Sequence, residues 1–379
     1  MLATVTGVNW NWLCSGDEVF PAMLEAIENA QKSVCLETYT YSVGPLGERF
    51  RDALLRAQKR GVHVRVLVDA LGSLTLPESF WTQLRHEGGQ VRLFNPLSLN
   101  RLGIRNHRKL LVCDERVAFV GGFNISSEYE GDGVHCGWCD VGLRIEGPLA
   151  AELGASFEEM FARADFQHKR FMLLRKFSAK RTVQAQNGQL LLSGPGRGRS
   201  PIKEALQWDI AHGRQIQIIV AYFLPSWRIR KALVRTSHRG GRVELILPGK
   251  SDVLVSQLAG QSLYARLLRG GLSIHEYQPQ ILHAKLFIID DVVYVGSANL
   301  DQRSLSINYE LMIRFESKEM AEQARQVFQA DLKHSNEITP DEWRRSNSIW
   351  RRLKQHWAYF LLARMDPYIA GRQWRRLPD

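Results

Sequence analysis

Two stretches of this chain carry the same chemically able side chains in the same order. NHRKLLVCDERVAFVGGFN holds His107, Lys109, Asp114, Gly121, Gly122 and Asn124, and LHAKLFIIDDVVYVGSANL holds His283, Lys285, Asp290, Gly296, Ser297 and Asn299. In each, His-x-Lys opens an apolar run, an acidic turn follows, and a second apolar run reaches a glycine turn with Asn behind it. That pattern predicts a β-hairpin. Residues two apart on a strand share a face, so each imidazole and its ammonium point the same way, and the Asn can return beside them. A single such pair is what an ordinary half-exposed strand offers. Two copies gathered into one site supply two imidazoles, two ammoniums and two carboxamides, a set suited to a tetrahedral phosphodiester. Lys109 and Lys285 would neutralise nonbridging oxygens, and Asn124 and Asn299 would donate to charge developing in the transition state. One imidazole can attack phosphorus while the other protonates the leaving oxygen, because histidine serves in both protonation states near pH 7. Paired lysines would repel a divalent cation, so neither a metal nor another cofactor is expected.

The elements that must position these residues also occur twice. A helical pattern with Ala26, Ile27 and Ala30 leads into the strand SVCLETYTYS, the helix FRDALLRAQKRG and the strand VHVRVLVDA. The second half repeats this order with IKEALQWDIAHG, QIQIIVAYFLPS, IRKALVRTSHRGG and RVELILPG, Gly240 answering Gly61. A glycine turn and strand follow in each, GGQVRLFN and GGLSIHEYQ. Strands alternating with helices imply parallel sheet with crossover helices. The expected fold is therefore α/β: two homologous mixed or parallel β-sheet sandwiches flanked by helices, related by a pseudo-two-fold axis that brings equivalent strand ends together. The expected divisions are 1–178 for the first repeat, 179–340 for the second and 341–379 for a C-terminal segment. Residues 165–188, polar and basic without a clear period, read as the linker. SGPGRGRSPIKE reads as a plain loop ending in a helix start, with Ser200 as N-cap and Pro201 at the first position. It lacks the Gly-Lys-Ser/Thr ending of a phosphate loop.

At 379 residues the chain has length for two domains, and its net charge of +11 favours an anionic partner, nucleic acid or an acidic membrane surface. Its five cysteines are odd in number and spread through apolar runs, which fits a reducing compartment better than a disulfide scaffold. The CGWC stretch, Cys136 to Cys139, has redox-motif spacing but no matching zinc ligands, and reads as incidental. The N-terminus lacks the basic region and apolar core of a signal peptide, and no apolar run reaches the roughly 20 residues needed to span a bilayer.

HRKLLVCD and HAKLFIID match the His-x-Lys-x4-Asp signature of the phospholipase D superfamily, and GGFN and GSAN match its Gly-Ser-x-Asn element. With LETYTY, GGFNISSEY, LRIEGP and GSANLDQRSLSINYE, nearly the whole chain resembles bacterial cardiolipin synthases of the shorter form without N-terminal transmembrane helices. The resemblance implies a phosphatidyl-histidine intermediate, carried over as His107 nucleophile and His283 general acid then base, although either half could attack. It implies an acidic residue that orients each histidine: Glu310 in SINYE, and less clearly Asp140 in GWCD. It gives Asp114 and Asp290 a structural role in holding the hairpins. Two departures stand out. Gly122 replaces the first signature Ser, and five residues separate Asp290 from Gly296 where six separate Asp114 from Gly121. That leaves Asp290 and Asp291 as alternatives for the second structural carboxylate.

Beyond the repeats, Trp343, Trp350 and Trp357 recur every seven residues and fall on one face of a single helix, with Arg344, Arg345, Arg351, Arg352 and Lys354 largely off that stripe. AYFLLA continues the apolar surface before Pro367, and Trp374, Arg375 and Arg376 follow. Basic residues with interfacial aromatics describe a helix lying in a headgroup layer, against the alternative of packing on the protein's own core. The expected activity is phosphatidyl transfer from phosphatidylglycerol to the hydroxyl of a second phosphatidylglycerol, with phosphatidylethanolamine or glycerol as a further substrate. The expected place is the cytoplasmic side of a bacterial inner membrane, bound peripherally. Hydrolysis to phosphatidic acid is the nearest alternative. A nuclease or phosphodiesterase, which would favour aromatics beside a basic groove, and an idle membrane-binding paralogue are the others. The terminal, amphipathic placement of the aromatic-basic cluster makes nucleic acid the weaker partner.

Overall fold

The computed structural model describes residues 3–5, 8–96, 103–164, 180–185, 188–196 and 198–365. The first half begins with strands β1 (Ala3–Val5) and β2 (Val8–Leu13) and helix α1 (Gly16–Asn29). Strand β3 (Ser33–Thr38), helix α2 (Pro45–Lys59) and strand β4 (His63–Asp69) then form a crossover unit. Helix α3 (Thr82–His86) leads to β5 (Gln90–Phe94), and the first hairpin is β6 (Leu110–Cys113) with β7 (Val117–Gly121). Strand β8 (Gly142–Glu146) and helix α4 (Pro148–Arg163) complete the half.

The second half opens with β9 (Arg181–Ala185), β10 (Gly188–Ser193) and α5 (Pro201–His212). Its crossover unit is β11 (Gln215–Val220), α6 (Trp227–His238) and β12 (Arg242–Pro248), followed by α7 (Leu254–Gln261), α8 (Tyr264–Arg269) and β13 (Ser273–Tyr277). The second hairpin is β14 (Lys285–Ile289) with β15 (Val292–Gly296). Then come α9 (Gln302–Ser306), β16 (Glu310–Glu316), α10 (Lys318–Leu332), β17 (Ser335–Glu337), α11 (Pro340–Ser346) and α12 (Ile349–Phe360).

The duplication is visible strand by strand. The first sheet runs β1-β2-β8-β7-β6-β3-β4-β5 and the second β17-β13-β12-β11-β14-β15-β16-β10-β9. Leaving out β1, β9 and β17, the two orders are equivalent. The segments β3-β4-β5 and β11-β12-β13 are parallel, as the crossover helices require, and the hairpins extend each sheet in antiparallel fashion. Gly61 and Gly240, just past α2 and α6, sit at φ +90° and +81°, where a side chain would be strained, so both helices end at the same left-handed step.

The inner faces of both sheets and the helices between them share one core. Leu149, Leu153 and Phe157 of α4 belong to it with Met320, Ala324 and Phe328 of α10. At about 25 cal/mol per Å² of apolar surface, a core of this extent ties the halves firmly together. The outer faces carry separate cores, under α1 and α2 in the first half and under α5, α6 and α8 in the second.

Two expectations about organisation change, and one holds. Residues 181–185 and 188 are not linker: they lie in β9 and β10, an edge hairpin paired on β16. Alternate residues of β9 are exposed, so its polar composition hid an edge strand. The rest of that segment, with the boundary at 178/179, lies outside the described residues. Next, Ser200 caps α5 by accepting from the Lys203 N–H at 3.4 Å, with Pro201 at the first position, so the glycine-rich stretch is a loop before a helix.

The tryptophan stripe, finally, is split. Helix α11 ends at Ser346, and Ser348 starts a new helix by accepting from the Arg351 N–H. Trp343 is buried against Tyr264 at a ring separation of 4.8 Å, whereas Trp350 and Trp357 are 76% and 64% exposed. AYFLLA turns inward as well: Ala358 is buried and Tyr359, Leu362 and Ala363 pack on the same core, leaving Phe360 outside. Pro367, Trp374, Arg375 and Arg376 lie outside the described residues.

Candidate active site

Each histidine sits just before the first strand of its hairpin, and there its backbone leaves its own sheet for the other half. The His107 N–H donates to Tyr309 O at 3.0 Å, and the His283 N–H donates to Cys139 O at 2.7 Å. Isolated parallel bridges, Asn106 with Tyr309 and Cys139 with Leu282, mark the two crossings. The residue after each acceptor is the acid. Glu310, at the start of β16, contacts His107 Nδ1 through its carboxylate oxygens at 3.1 and 3.2 Å. Asp140 Oδ2 lies 2.6 Å from His283 Nδ1. The partners are therefore exchanged: the acid of the second half serves the histidine of the first, and the reverse. A carboxylate on Nδ1 is the arrangement that fixes a tautomer and leaves Nε2 the outward atom, although His283 Nε2 also lies 3.4 Å from the Tyr129 hydroxyl.

The lysines follow their histidines on the same side. Lys109 Nζ donates to His107 O at 2.7 Å, and Lys285 Nζ donates to His283 O while lying 2.8 and 3.1 Å from the two ring nitrogens. Both lysines are buried. Asn124 Oδ1 accepts from the Thr40 N–H at 3.0 Å and Asn299 Oδ1 from the Tyr222 N–H at 3.3 Å, so each amide pins the chain just beyond β3 or β11. The Asn124 amide nitrogen donates to the Tyr129 hydroxyl at 2.7 Å.

Asp114 and Asp290 lie at the far ends of the hairpins, away from the histidines. Asp114 accepts from the backbone N–H groups of Gln31, Lys32 and Ser33, and Asp290 from those of Arg214 and Gln215. Each ties its turn to the strand beside it, and the second carboxylate is Asp290 rather than Asp291. The missing residue is in the turn. Cys113 pairs with Val117 across three residues, whereas Ile289 pairs with Val292 across two.

The two pairs differ electrostatically. Burial pulls His107 below the ordinary imidazole range, Glu310 opposing and Lys109 adding to the effect. Burial would raise Glu310, but His107, Lys109 and the Ser297 hydroxyl, at 2.5 Å, outweigh it and hold the carboxyl below its usual range. On the other side, burial pushes Asp140 up to about 7, with Lys285 opposing, and drives His283 well below its usual range, helped by Lys285 and Lys109. The His107–Glu310 pair thus keeps an ionised carboxylate, while the deeper His283–Asp140 pair favours its neutral form. Burial and mutual repulsion lower Lys109 to about 7, and burial lowers Lys285 to about 8. An anion between them would reverse these shifts. Among the described residues no three His, Cys, Asp or Glu converge as a metal-ligand set.

Gly122 explains the first departure from the signature. A Cβ there would lie 2.1 Å from Asp140 Oδ1. The shorter acid occupies the space that Ser297 fills beside the longer Glu310.

Residues 23–161 and 208–332 match the model for the cardiolipin synthase, PLD-like domain, one copy in each half. The chain belongs to the cardiolipin synthase family of PLD-like proteins. Cardiolipin synthase 1 of Bacillus anthracis is 33% identical over 339 residues, 86% of this chain and 67% of that one. Cardiolipin synthase B of Salmonella typhimurium is 30% identical over 377 residues, 94% of this chain and 88% of that one. The fold matches phosphatidylserine synthase of Haemophilus influenzae with a TM-score of 0.74 at 15% identity, over 98% of this chain and 96% of that one.

Several residues around this family centre carry no signal in the repeated motif. Trp138 and Tyr129 wall His283 at ring separations of 5.6 and 5.3 Å, and Tyr39 lies 5.1 Å from His107 with Lys109 over its ring. The CGWC stretch is thus the arm that delivers Trp138 and Asp140 to the other half. Asp252, in the loop after β12, accepts from the Tyr222 hydroxyl at 2.7 Å, and its charge reaches His283 and Lys285. Its place at the carboxyl end of a parallel strand, where α/β sheets put their ligands, is the signal that could have found it.

Proposed function

We propose that this chain is a phosphatidyltransferase that makes cardiolipin from phosphatidylglycerol at one centre shared by its two halves. The observation that carries this reading is the exchange of partners, His107 with Glu310 and His283 with Asp140, which makes each half-site depend on the other. His107 Nε2 attacks phosphorus, and the P–O bond to the donor headgroup breaks as His283 gives the leaving glycerol oxygen a proton. The hydroxyl of a second phosphatidylglycerol then gives its proton to His283 while its oxygen attacks phosphorus. The P–N bond breaks and both rings are restored. The ionised Glu310 supports positive charge on the attacking ring, and the titratable His283–Asp140 pair suits a group that must give and take a proton. Arrival of an anionic phosphodiester between Lys109 and Lys285 favours the protonated form of that pair. Phosphatidylethanolamine or free glycerol are the other substrates this chemistry admits.

The chain is read as two repeats meeting near residue 178 and a surface segment from 341 onward. Among the described residues no helix is long and apolar enough to cross a membrane. Ile349, Trp350, Leu353, Trp357 and Phe360 are exposed on α12, with Arg352 and Lys354 beside them, which supports docking on an anionic membrane surface. Five free cysteines agree with the cytoplasmic leaflet of a bacterial inner membrane. Labelled phosphatidylglycerol vesicles should yield cardiolipin and glycerol, and both His107→Ala and His283→Ala should abolish turnover. Phosphatidic acid as the sole product would make the chain a hydrolase.

A further inference from the structure

The outer helical layer of the second half bears a cationic surface that the chemistry above does not use. Helix α6 sets Arg228, Lys231 and Arg235 along one strip of its surface, three or four residues apart, and Arg239, just past its end, continues the row. With Trp227, Ala232 and two residues of α5, they line an open groove of about 290 Å³. None of the four has a carboxylate partner among the described residues. Lys231 lies over the Trp227 ring at 4.6 Å, and Arg239 donates to Gly213 O and the Thr236 hydroxyl. Lys203 of α5 adds a fifth positive charge close to Arg228. Like charges at this spacing repel one another along a helix, so the row is stabilised by whatever anion comes to it.

Two large aromatic side chains are exposed on the same two helices. Trp227 and, on α5, Trp208 are 54% and 67% exposed, the placement of headgroup-level anchors rather than of core residues. Helix α6 meets α12 on its other side: Arg230, off the cationic strip, donates to the Tyr359 hydroxyl at 3.1 Å and lies over its ring. Helix α6 begins five residues after Tyr222, which stands beside the catalytic pairs through Asp252. Cations, aromatics, aliphatic side chains and the approach to the site therefore lie on neighbouring elements.

We propose that the groove between α5 and α6 binds the phosphodiester headgroups of anionic phospholipids in the bilayer, apart from the catalytic centre, and holds the chain on the surface that supplies its substrate. This rests on the membrane reading above and adds a headgroup site to the apolar row. Another polyanion, nucleic acid, fits the charge, but Ile349, Leu353 and Phe360 beside Trp350 and Trp357 offer it a surface suited to hydrocarbon.

The test is sedimentation of the full chain with phosphatidylcholine vesicles, with and without phosphatidylglycerol. Each cation near an anionic surface contributes roughly a fivefold factor in partitioning. The triple variant Arg228→Gln, Lys231→Gln, Arg235→Gln should then partition about a hundredfold less onto the anionic vesicles. It should bind neutral vesicles as before and turn over short-chain phosphatidylglycerol dispersed in detergent at the parent rate. The charge-keeping pair Arg228→Lys, Arg235→Lys should retain partitioning, and Arg235→Gln alone should lose about fivefold should the triple variant fail to fold. Unchanged partitioning of the glutamine variants overturns the proposal. So does an equal loss of turnover on dispersed substrate, or lost binding to a single-stranded oligonucleotide with vesicle binding intact. Sedimentation needs no chemistry, so a chain that docks but makes no cardiolipin refutes the proposed activity and leaves the groove standing.

Discussion

Replacing Glu310 by Gln keeps shape and removes one charge, and the loss should appear at a histidine 203 residues away in sequence. The carboxylate lies 3.1 Å from His107 Nδ1, is wholly buried, and accepts from the Ser297 hydroxyl as well. Two unit charges that close interact by about 5 kcal/mol at an effective dielectric of 20. Under the proposed mechanism His107 becomes cationic only as it attacks phosphorus, so most of this belongs to the transition state and the intermediate rather than to the resting enzyme. A glutamine recovers part of it as a neutral hydrogen bond of about 1 kcal/mol. The expected loss is about 3–4 kcal/mol in activation free energy, or roughly 10²–10³ in kcat at about 1.4 kcal/mol per decade. Rapid-quench trapping of the phosphohistidine should show its formation slowed by that factor, and NMR of the resting enzyme should show the His107 pKa fall further while His283 is nearly unmoved. A rate within about tenfold of the parent, or a response at His283 instead, would refute the crossed assignment.

Three further outcomes follow from the same geometry. The pH profile of kcat/KM should fall on the alkaline side as Lys109 and Lys285, at about 7 and 8, lose the protons that attract the phosphodiester. The acid limb should lie below the ordinary histidine value, because His107 stays neutral and nucleophilic further down; a limb above that value would count against His107 as the attacking group. Gly122→Ser should push the Asp140 carboxyl from His283 and cost on the order of a hundredfold in turnover, with part recovered by adding Asp140→Glu, and no recovery would refute the compensation. Trp350→Ser with Trp357→Ser should weaken partitioning onto vesicles without lowering the melting temperature, whereas Trp343→Ser should destabilise the fold by about 3–5 kcal/mol in thermal denaturation.

Local physics made much of this legible. A strand alternates its side chains with period two, so His-x-Lys on one face was readable from spacing, and the repeated order of strands and helices was readable from hydrophobic pattern. The exchange of partners was not. Asp140 stands 143 residues from His283, and nothing local tells which imidazole an acid will meet once the halves dock. The seven-residue tryptophan spacing fits one long helix equally well. Three residues, Ser346, Asn347 and Ser348, break it, because the Ser348 hydroxyl takes up a backbone donor and starts the chain in a new direction. The edge strand β9 was hidden for a different reason: with little to bury, it carries almost no apolar signal.

The halves are equivalent in topology but not in what surrounds their histidines. In the first, Arg108 stands between His107 and Lys109 and pairs with the buried Glu37 at 3.2 Å, and Asn106 donates to the same carboxylate at 2.7 Å. At matching places the second half has Ala284, Ile219 and Leu282, all buried in the shared core. A buried ion pair costs desolvation that apolar residues of similar volume avoid, so it is weak evidence for stability. Its effect here is on the field. Together with the ionised Glu310, it keeps the His107 side polar and charged, whereas His283 lies against Trp138 and Tyr129 with an acid that favours its neutral form. A symmetric pair of imidazoles would have matching proton affinities and no reason for one to attack while the other delivers a proton. Duplication followed by divergence at positions 37, 108, 122 and 140 gives two like rings unlike surroundings, and under the proposed mechanism that difference sets the direction of proton movement across the phosphorus.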